Sequence, residues 1–293
     1  MAAATRHSFA LNRVVVVDNG SRDGSAEGLG DFPLPLTLIC NRKNRGFAAA
    51  CNQGARESDA DYLLFLNPDV RLYPDSLTRP LRFMEEPANA RIGICGIQLV
   101  DESGRVDRSC ARFPTLGMFV GKMLGLTRWL PGVFPNHAMT EWDHGESRCV
   151  DQVIGAFFLI RRSLFEQLGR FDERFFVYFE EVDFSYRAAR AGWSSYYLAE
   201  ARAVHRGGGS SEQVKAMRLC YSLQSRIRYG FKHFGRPSAV GLALGTLLLE
   251  PLSRLGLAAA RRSPCSAKET LQGYAMLWGA IPRRLVQQDD GSE

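Results

Sequence analysis

Short unbroken apolar runs alternate with helical periodicity through the N-terminal two thirds of the chain, and several of the runs stop at a polar cluster. Val14–Val17 is β-branched throughout and ends in Asp18-Asn19-Gly20-Ser21, the pattern of a strand buried on both faces that opens into a turn. Leu36 to Cys40 predicts a second strand and Phe47 to Arg56 a helix of small residues. Tyr62 to Leu66 predicts a third strand, which stops at Asn67-Pro68-Asp69. A helix over Pro74 to Glu86 and a strand over Ile92 to Leu99 continue the alternation, which favours an α/β fold with a mostly parallel central sheet. Ligands of such sheets collect beyond the carboxyl ends of the strands, where the clusters at Asp18, Asn41 to Asn44 and Asn67 to Asp69 fall. Cys110 to Arg148 is irregular, broken by Pro114, Pro131 and Pro135, and reads as a long excursion over the active face, suited to recognising an acceptor. Beyond it the pattern predicts a strand over Val153 to Ile160 and a short helix over Arg162 to Leu168. A helix through Ala191, stopped by Gly192, and two short strands at Tyr196 to Leu198 and Ala203 to His205 complete this part.

The C-terminal part changes character. Met217, Cys220, Tyr221, Ile227, Phe231 and Phe234 recur at helical spacing among Lys215, Arg218, Arg226, Arg228, Lys232 and Arg236. Ala239 to Ala260 is apolar but carries Glu250, Pro251 and Arg254. Mid-helix charges cost about 2.5–3.5 kcal/mol each on insertion scales, so two shorter helices lying in a membrane interface are expected in place of a spanning one, the alternative being a helical hairpin packed on the rest of the protein. The division expected is a catalytic domain over residues 1–211 and a helical, membrane-associating segment over 212–293.

With 293 residues, 45% hydrophobic and 23% charged, the chain can bury one large core or one core plus an appendage, and nothing in the composition suggests disorder. The net charge of +6 is modest, and the C-terminal cations interleave with apolar helix positions without forming a groove of stacking aromatics, which argues against nucleic acid. Seven cysteines without a C-x-x-C pair suggest neither a zinc site nor a disulfide framework, and reduced thiols are expected. Met1 to Asn12 has no apolar run of signal-peptide type, so a cytoplasmic location is expected, peripheral on the inner membrane.

The segment Phe171 to Phe184 packs carboxylates among aromatic residues. A buried carboxylate is costly unless it has a partner, a proton to move or a metal nearby; the bland alternative is a solvated helix start favoured by the dipole. Taken singly, Asp69 after Asn67-Pro68 reads as a turn or cap, and His205 as a packed core histidine. Asp183 and Arg187 have the spacing of an i,i+4 ion pair, and Glu180, adjacent to Glu181, should face elsewhere.

In order and spacing these residues resemble the family 2 glycosyltransferases of GT-A fold, especially the bacterial rhamnosyltransferase-like members. The likeness lies in Val16 to Ser25, Asn44 to Gly54, Leu66-Asn67-Pro68-Asp69, Gly155 to Arg162, Gly169 to Glu173, Phe175-Phe176, Glu180 to Asp183, and His205 with Gly208 and Ser210. It runs from Val14 to Ser211. It implies a nucleotide-sugar site at Asp18, Asn19, Ser21, Asn44, Arg45, Gly46, Asn52 and Asn67, and a Mg²⁺ or Mn²⁺ ion held by Asp69 and His205. It implies a base at Glu181 or Glu180, Glu181 standing where the family has Asp. The donor implied is dTDP-rhamnose or a UDP-sugar, and the acceptor a glycan or polyprenyl-linked hydroxyl, with inversion at the anomeric carbon. A sugar-1-phosphate nucleotidylyltransferase would need a glycine-rich basic loop ahead of Val14, and none is seen. Family members carry an apolar strand and a helix before the strand matching Val14–Val17, and here thirteen residues precede it. An interior strand and helix are thus expected to be missing, with Ser8 to Leu11 a poor substitute, which keeps open a catalytically impaired nucleotide-sugar-binding or scaffold protein.

Overall fold

A computed structural model describes residues 9–29, 34–207 and 215–285. The strands are β1 (Val14–Asp18), β2 (Leu36–Cys40), β3 (Tyr62–Leu66), β4 (Val70–Leu72), β5 (Ile92–Val100), β6 (Cys110–Ala111), β7 (Arg148–Val150), β8 (Gln152–Val153), β9 (Phe157–Arg161) and β10 (Ser194–His205). The helices are α1 (Phe47–Gly54), α2 (Thr78–Glu85), α3 (Leu116–Met123), α4 (Arg162–Gln167), α5 (Glu180–Arg190), α6 (Lys215–His233), α7 (Arg236–Leu244), α8 (Glu250–Ala260) and α9 (Pro264–Leu285). They form two compact units. One contains the described residues up to Phe113 together with Ala138–Gly207; the other contains Pro114–His137 together with the helices from α6 onward.

The first unit is α/β, built on a six-stranded sheet of order β3-β9-β5-β10-β4 with β7 also paired to β10. All nine residues of β5 are buried, the polar Gln98 among them, as expected of a strand covered on both faces. β9 feeds two cores alternately. Phe158 and Ile160 join Phe65, Phe171 and Phe184, while Phe157 and Leu159 join Met84, Ile97 and Leu198. Strand period thus accounts for one face of the sheet meeting each core. The ring of Phe171 lies 5.0–5.9 Å from those of Phe65, Phe158, Phe165 and Phe184, so the aromatic part of the acidic segment is core.

The sheet is mixed, which corrects the expectation of mostly parallel strands. β5 and β10 are parallel, but β9 enters antiparallel between β3 and β5, and β4 and β7 both run antiparallel to β10. Apolar runs report burial, and burial does not encode direction. The run predicted over Val153 to Ile160 is two strands separated at Ile154–Ala156, and the two short strands at its end are one, β10, bulged between Leu198 and Arg202. β1 and β2 pair in parallel as a separate two-stranded sheet, on which α1 packs. Among the described residues, no strand pairs with the other edge of β1 or of β3. Phe9–Leu11 forms no strand and so does not substitute there; Ser8 lies outside the described residues.

Of the Cys110–Arg148 excursion, Pro114–His137 belongs to the second unit. Within the first unit its C-terminal part is anchored at His144, whose carbonyl accepts from Tyr197 Oη at 2.8 Å and Gln98 Nε2 at 3.0 Å. Trp142 stacks on the His144 ring, and Arg148 covers Trp142.

The Asp183–Arg187 pair exists as the spacing suggested, with Nε 2.9 Å from Oδ2. Arg187 also donates to the carbonyls of Leu168 and Arg170 at 2.6 and 2.8 Å, and Asp183 is fully buried. Arg187→Leu would take the guanidinium away from that buried carboxylate and from two carbonyls. We expect a loss of about 3–5 kcal/mol in urea unfolding, against a near-neutral Arg79→Ala at the exposed Asp75 pair.

Candidate functional site

Asp18 closes β1, and its Oδ1 accepts the Ser21 backbone N–H at 3.0 Å, which shapes the turn where Gly20 takes a φ of 86°. Asn19 is the hub of this end. Its Nδ2 donates to Asn44 Oδ1 and to the Gly46 carbonyl, both at 3.0 Å, while its Oδ1 accepts from Asn41 Nδ2 at 3.2 Å and the Arg45 N–H at 3.0 Å. Asn44 Oδ1 also accepts the Gly46 N–H at 2.9 Å. Asp18, Asn19, Ser21, Asn44, Arg45 and Gly46 therefore form one continuous polar shelf leading into the N-terminus of α1.

Gly46 has a φ of 91°, and a Cβ there would lie 2.5 Å from the Phe176 carbonyl, so only glycine fits. That carbonyl accepts the Phe47 N–H at 2.6 Å. The shelf is thus joined, backbone to backbone, to the segment that carries the two glutamates.

Asn52 does not face this shelf, which corrects the expectation that it helps hold a donor. It is buried, its Nδ2 donates to the Phe171 carbonyl at 2.9 Å and to Glu173 Oε1 at 3.0 Å, and its Oδ1 accepts the Phe171 N–H at 3.1 Å. Both ends of the amide are occupied in tying α1 to the acidic segment.

Tyr178 and Phe179 both adopt left-handed backbone, with φ of 66° and 70°, immediately before α5. Two consecutive non-glycine residues in this region are strained, a condition that clusters at functional sites. The turn delivers Glu180 and Glu181 to the interior. Glu180 is 4% exposed, and the Oε2 atoms of both glutamates are buried without a hydrogen-bond partner. Burial and the neighbouring Glu181 push the Glu180 carboxyl well above the ordinary carboxylate range. Burial also raises Glu181, against the pull of N–H groups at the helix start and of the Gly155 N–H. The two do not face apart as adjacent helix positions suggested. Both are long side chains, and in spite of about 100° of rotation between neighbouring residues the charge of Glu181 still raises Glu180 and both raise Cys51. Burial and both glutamates drive the Cys51 thiol up as well, which makes it no nucleophile.

Gly155 connects the glutamates to the end of β3, because the next residue, Ala156, accepts the Asn67 N–H at 3.0 Å. From Asn67 the chain turns through Pro68 to Asp69. Val70 pairs with His205 in the β4–β10 ladder, which sets His205 Nε2 3.6 Å from Asp69 Oδ1. That Oδ1 is buried and has no hydrogen-bond partner. An orphaned carboxylate oxygen beside an imidazole nitrogen fits a divalent cation that draws its remaining ligands from phosphate oxygens. Among the described residues no third His, Cys, Asp or Glu joins them. The Gly208–Ser211 part of the motif lies outside the described residues.

Sequence reasoning missed Gly155 as a link and Asn41 with Gln53 as supports, Asn41 Nδ2 donating to Gln53 Oε1 at 2.9 Å. Backbone groups have no sequence signature, and only the grouping of Asn41 with Asn44 hinted at the second. A cavity of about 560 Å³ lies at the far end of β4, lined by Tyr73, Asp75, Arg79, Glu200 and Arg202, and contains none of the residues above.

The family model described as glycosyl transferase family 2 matches residues 3–169. An N-acetylglucosaminyl-diphospho-decaprenol L-rhamnosyltransferase of Mycobacterium tuberculosis is 31% identical over 220 residues, 70% of this chain and 70% of that protein. Rhamnosyltransferase WbbL of Escherichia coli is 30% identical over 176 residues, 59% of this chain and 63% of its own. Among solved structures, the mannosyltransferase PcManGT from Pyrobaculum calidifontis, in complex with GDP-Man and Mn²⁺, aligns with a TM-score of 0.48 and 19% identity over 94% of this chain and 72% of that one.

The raised carboxyls make stability depend on pH with a defined sign. The folded protein holds these protons above the ordinary value of 4.5, where the unfolded chain has released them. Stability is therefore greatest below that value and falls as pH rises towards the raised pKa values. Urea unfolding across this window should show the fall in the parent protein and a clearly shallower one in Glu180→Gln; equal slopes would remove the buried pair as its cause.

Proposed function

The chain belongs to glycosyl transferase family 2 and is a rhamnosyltransferase-like glycosyltransferase of α/β, GT-A type, and from that premise we propose that it transfers a sugar, with inversion, from a nucleoside diphosphate to a hydroxyl of a polyprenyl-linked glycan. A dTDP-rhamnose or UDP-sugar donor is proposed, with the enzyme peripheral on the cytoplasmic face of the inner membrane and its product entering a cell-surface polysaccharide. The mycobacterial relative, an N-acetylglucosaminyl-diphospho-decaprenol L-rhamnosyltransferase, supports this acceptor class.

Support for the division of labour comes from the contacts. Asp18, with Asn19, Ser21, Asn44, Arg45 and Gly46, would receive the nucleotide. Its preformed shelf of backbone and amide groups spares the ordering cost at binding. Asn67, Asp69 and His205 would face the diphosphate, and Asp69 and His205 would hold Mg²⁺ or Mn²⁺, which when bound neutralises charge on the departing diphosphate.

The base we assign is Glu181. The observation that carries it is the buried, partnerless Oε2 of a carboxylate linked through Gly155 and Ala156 to Asn67 and on to Asp69. A carboxylate raised above its usual range is a better proton acceptor near neutral pH; burial supplies the elevation of Glu181, while Glu180, raised well above that range by burial and by Glu181, is the one that keeps its proton. The acceptor hydroxyl gives its proton to Glu181 as its oxygen bonds to the anomeric carbon, and the diphosphate leaves from the opposite face.

A second reading, nucleotide-sugar binding without turnover, is favoured by one observation: among the described residues no strand pairs with the other edge of β1 or of β3. One experiment separates the two. Glu181→Gln should lower kcat by about 10²–10⁴-fold while nucleoside-diphosphate affinity, measured by calorimetry, changes little. Parent protein that binds a panel of nucleotide sugars and transfers none to membranes bearing polyprenyl-linked acceptors would support the second reading.

The cation assignment has its own readout. Asp69→Asn and His205→Ala should each weaken Mn²⁺-dependent binding of the nucleoside diphosphate by roughly tenfold or more and leave the Mn²⁺-independent part unchanged. Loss of both parts alike would point to misfolding at the strand end.

A further inference from the structure

The helix Arg236–Ala260, 25 residues through α7, a π-helical turn at Gly245–Leu249 and α8, is inverted relative to a surface helix of a water-soluble protein. Glu250 and Thr246 near its middle point inward, while the Arg254 side chain is 35% exposed. Glu250 is 2% exposed and receives the Arg226 guanidinium, itself 5% exposed, as well as Arg254 Nε at 2.8 Å; Thr246 is fully buried. Beyond Arg236 at its start, every exposed position of this helix is apolar: Pro237, Val240, Gly241, Leu244, Leu248, Leu249, Leu252, Gly256, Leu257, Ala259 and Ala260. Leu248 is 60% and Leu252 67% exposed. The stripe Val240, Leu244, Leu248, Leu252 follows the i,i+4 row of a single helix face, and the helix is roughly 37 Å long at 1.5 Å per residue. Arg236 stands at one end and Arg261 and Arg262 at the other, all exposed.

We infer that this leucine face is a monotopic anchor, sunk into one leaflet of a bilayer with anionic headgroups. An apolar strip of this length, rimmed by cations at both ends, is complementary to acyl chains edged by phosphates. Spanning is disfavoured by position: Glu250 is the fifteenth of the 25 residues, so a transmembrane arrangement would place the Arg226–Glu250–Arg254 cluster at the costly bilayer centre. Lying in plane, the helix keeps that cluster on the protein side and only hydrocarbon on the lipid side. The inference deepens the proposed function, on whose lipid-linked acceptor its biological sense rests.

The test is sedimentation of the purified full chain with phosphatidylcholine vesicles, with and without phosphatidylglycerol. The parent protein should sediment with the anionic vesicles. The triple variant Leu244→Gln, Leu248→Gln, Leu252→Gln should partition roughly 100-fold less at unchanged circular dichroism. Arg236→Gln, Arg261→Gln, Arg262→Gln should lose the preference for phosphatidylglycerol. Cys265, exposed just beyond the helix, should react with a membrane-impermeant maleimide in vesicle-bound protein, read by peptide mapping; protection would show spanning and overturn the in-plane arrangement. Parent protein that stays in the supernatant, or a dimer that the leucine variant dissolves, would overturn the anchor in favour of a second copy as occupant. Transfer to a lipid-free acceptor should be the same within about twofold in parent and leucine variant. Vesicle binding without any transfer activity would count against the proposed function and leave the anchor standing.

Discussion

Two neighbouring carboxylates, Glu180 buried and Glu181 with its Oε2 buried, sit close enough for one to raise the other, and the chemistry assigned to this protein depends on that arrangement being held. The fold invests heavily in keeping it. A pair of left-handed residues aims the helix start inward, Phe171 and Phe184 pack the acidic segment into the main aromatic core, and Asn52 uses its whole amide to tie that segment to α1. Gly46 completes the connection by letting the nucleotide-side loop touch the Phe176 carbonyl directly. Relieving the carboxylates by exposing them would undo contacts on three elements at once.

How much of this was legible depends on what kind of information a residue carries. β1, β2, β3 and β5 were readable as strands from their β-branched or apolar runs, and the strand-end positions of Asp18 and Asn67–Asp69 followed. Burial on two faces holds for β5 alone; β1 is half-buried throughout and β2 is exposed at Leu38 and Cys40. Strand direction was not readable: β9 alternates its side chains between two cores equally well in either direction. β4 and β7 are three residues each and too short to have a period. Asn52 looked like a ligand-facing amide because sequence gives its type and neighbours, and whether an amide is already spent on backbone groups 119 residues away is a tertiary fact. The same holds for Glu180, whose convergence with Glu181 overrode the facing expected from helix geometry.

The C-terminal helices show the same limit from the opposite side. Composition counted Glu250 and Arg254 as interruptions of an apolar stretch, and they are interruptions along the chain. In space they cancel, because Arg226 comes from another helix to meet them, and what remains outward is hydrocarbon. A hydropathy average cannot separate a helix with charges scattered around it from one whose central acid is turned inward to meet its partners.

Arg187 has a consequence that reaches well beyond its own ion pair. A helix held only by apolar packing can roll about its long axis at little cost, since greasy side chains slide over one another. Here one guanidinium is spread over Asp183 and two carbonyls of the preceding loop, acceptors in different directions, which leaves α5 no freedom to rotate. A roll of about 10° would carry a glutamate carboxylate at its rim through roughly 1 Å, the scale on which proton transfer geometry is lost. The angular phase of α5, and with it the aim of both acids, is set two turns away by a residue that touches neither.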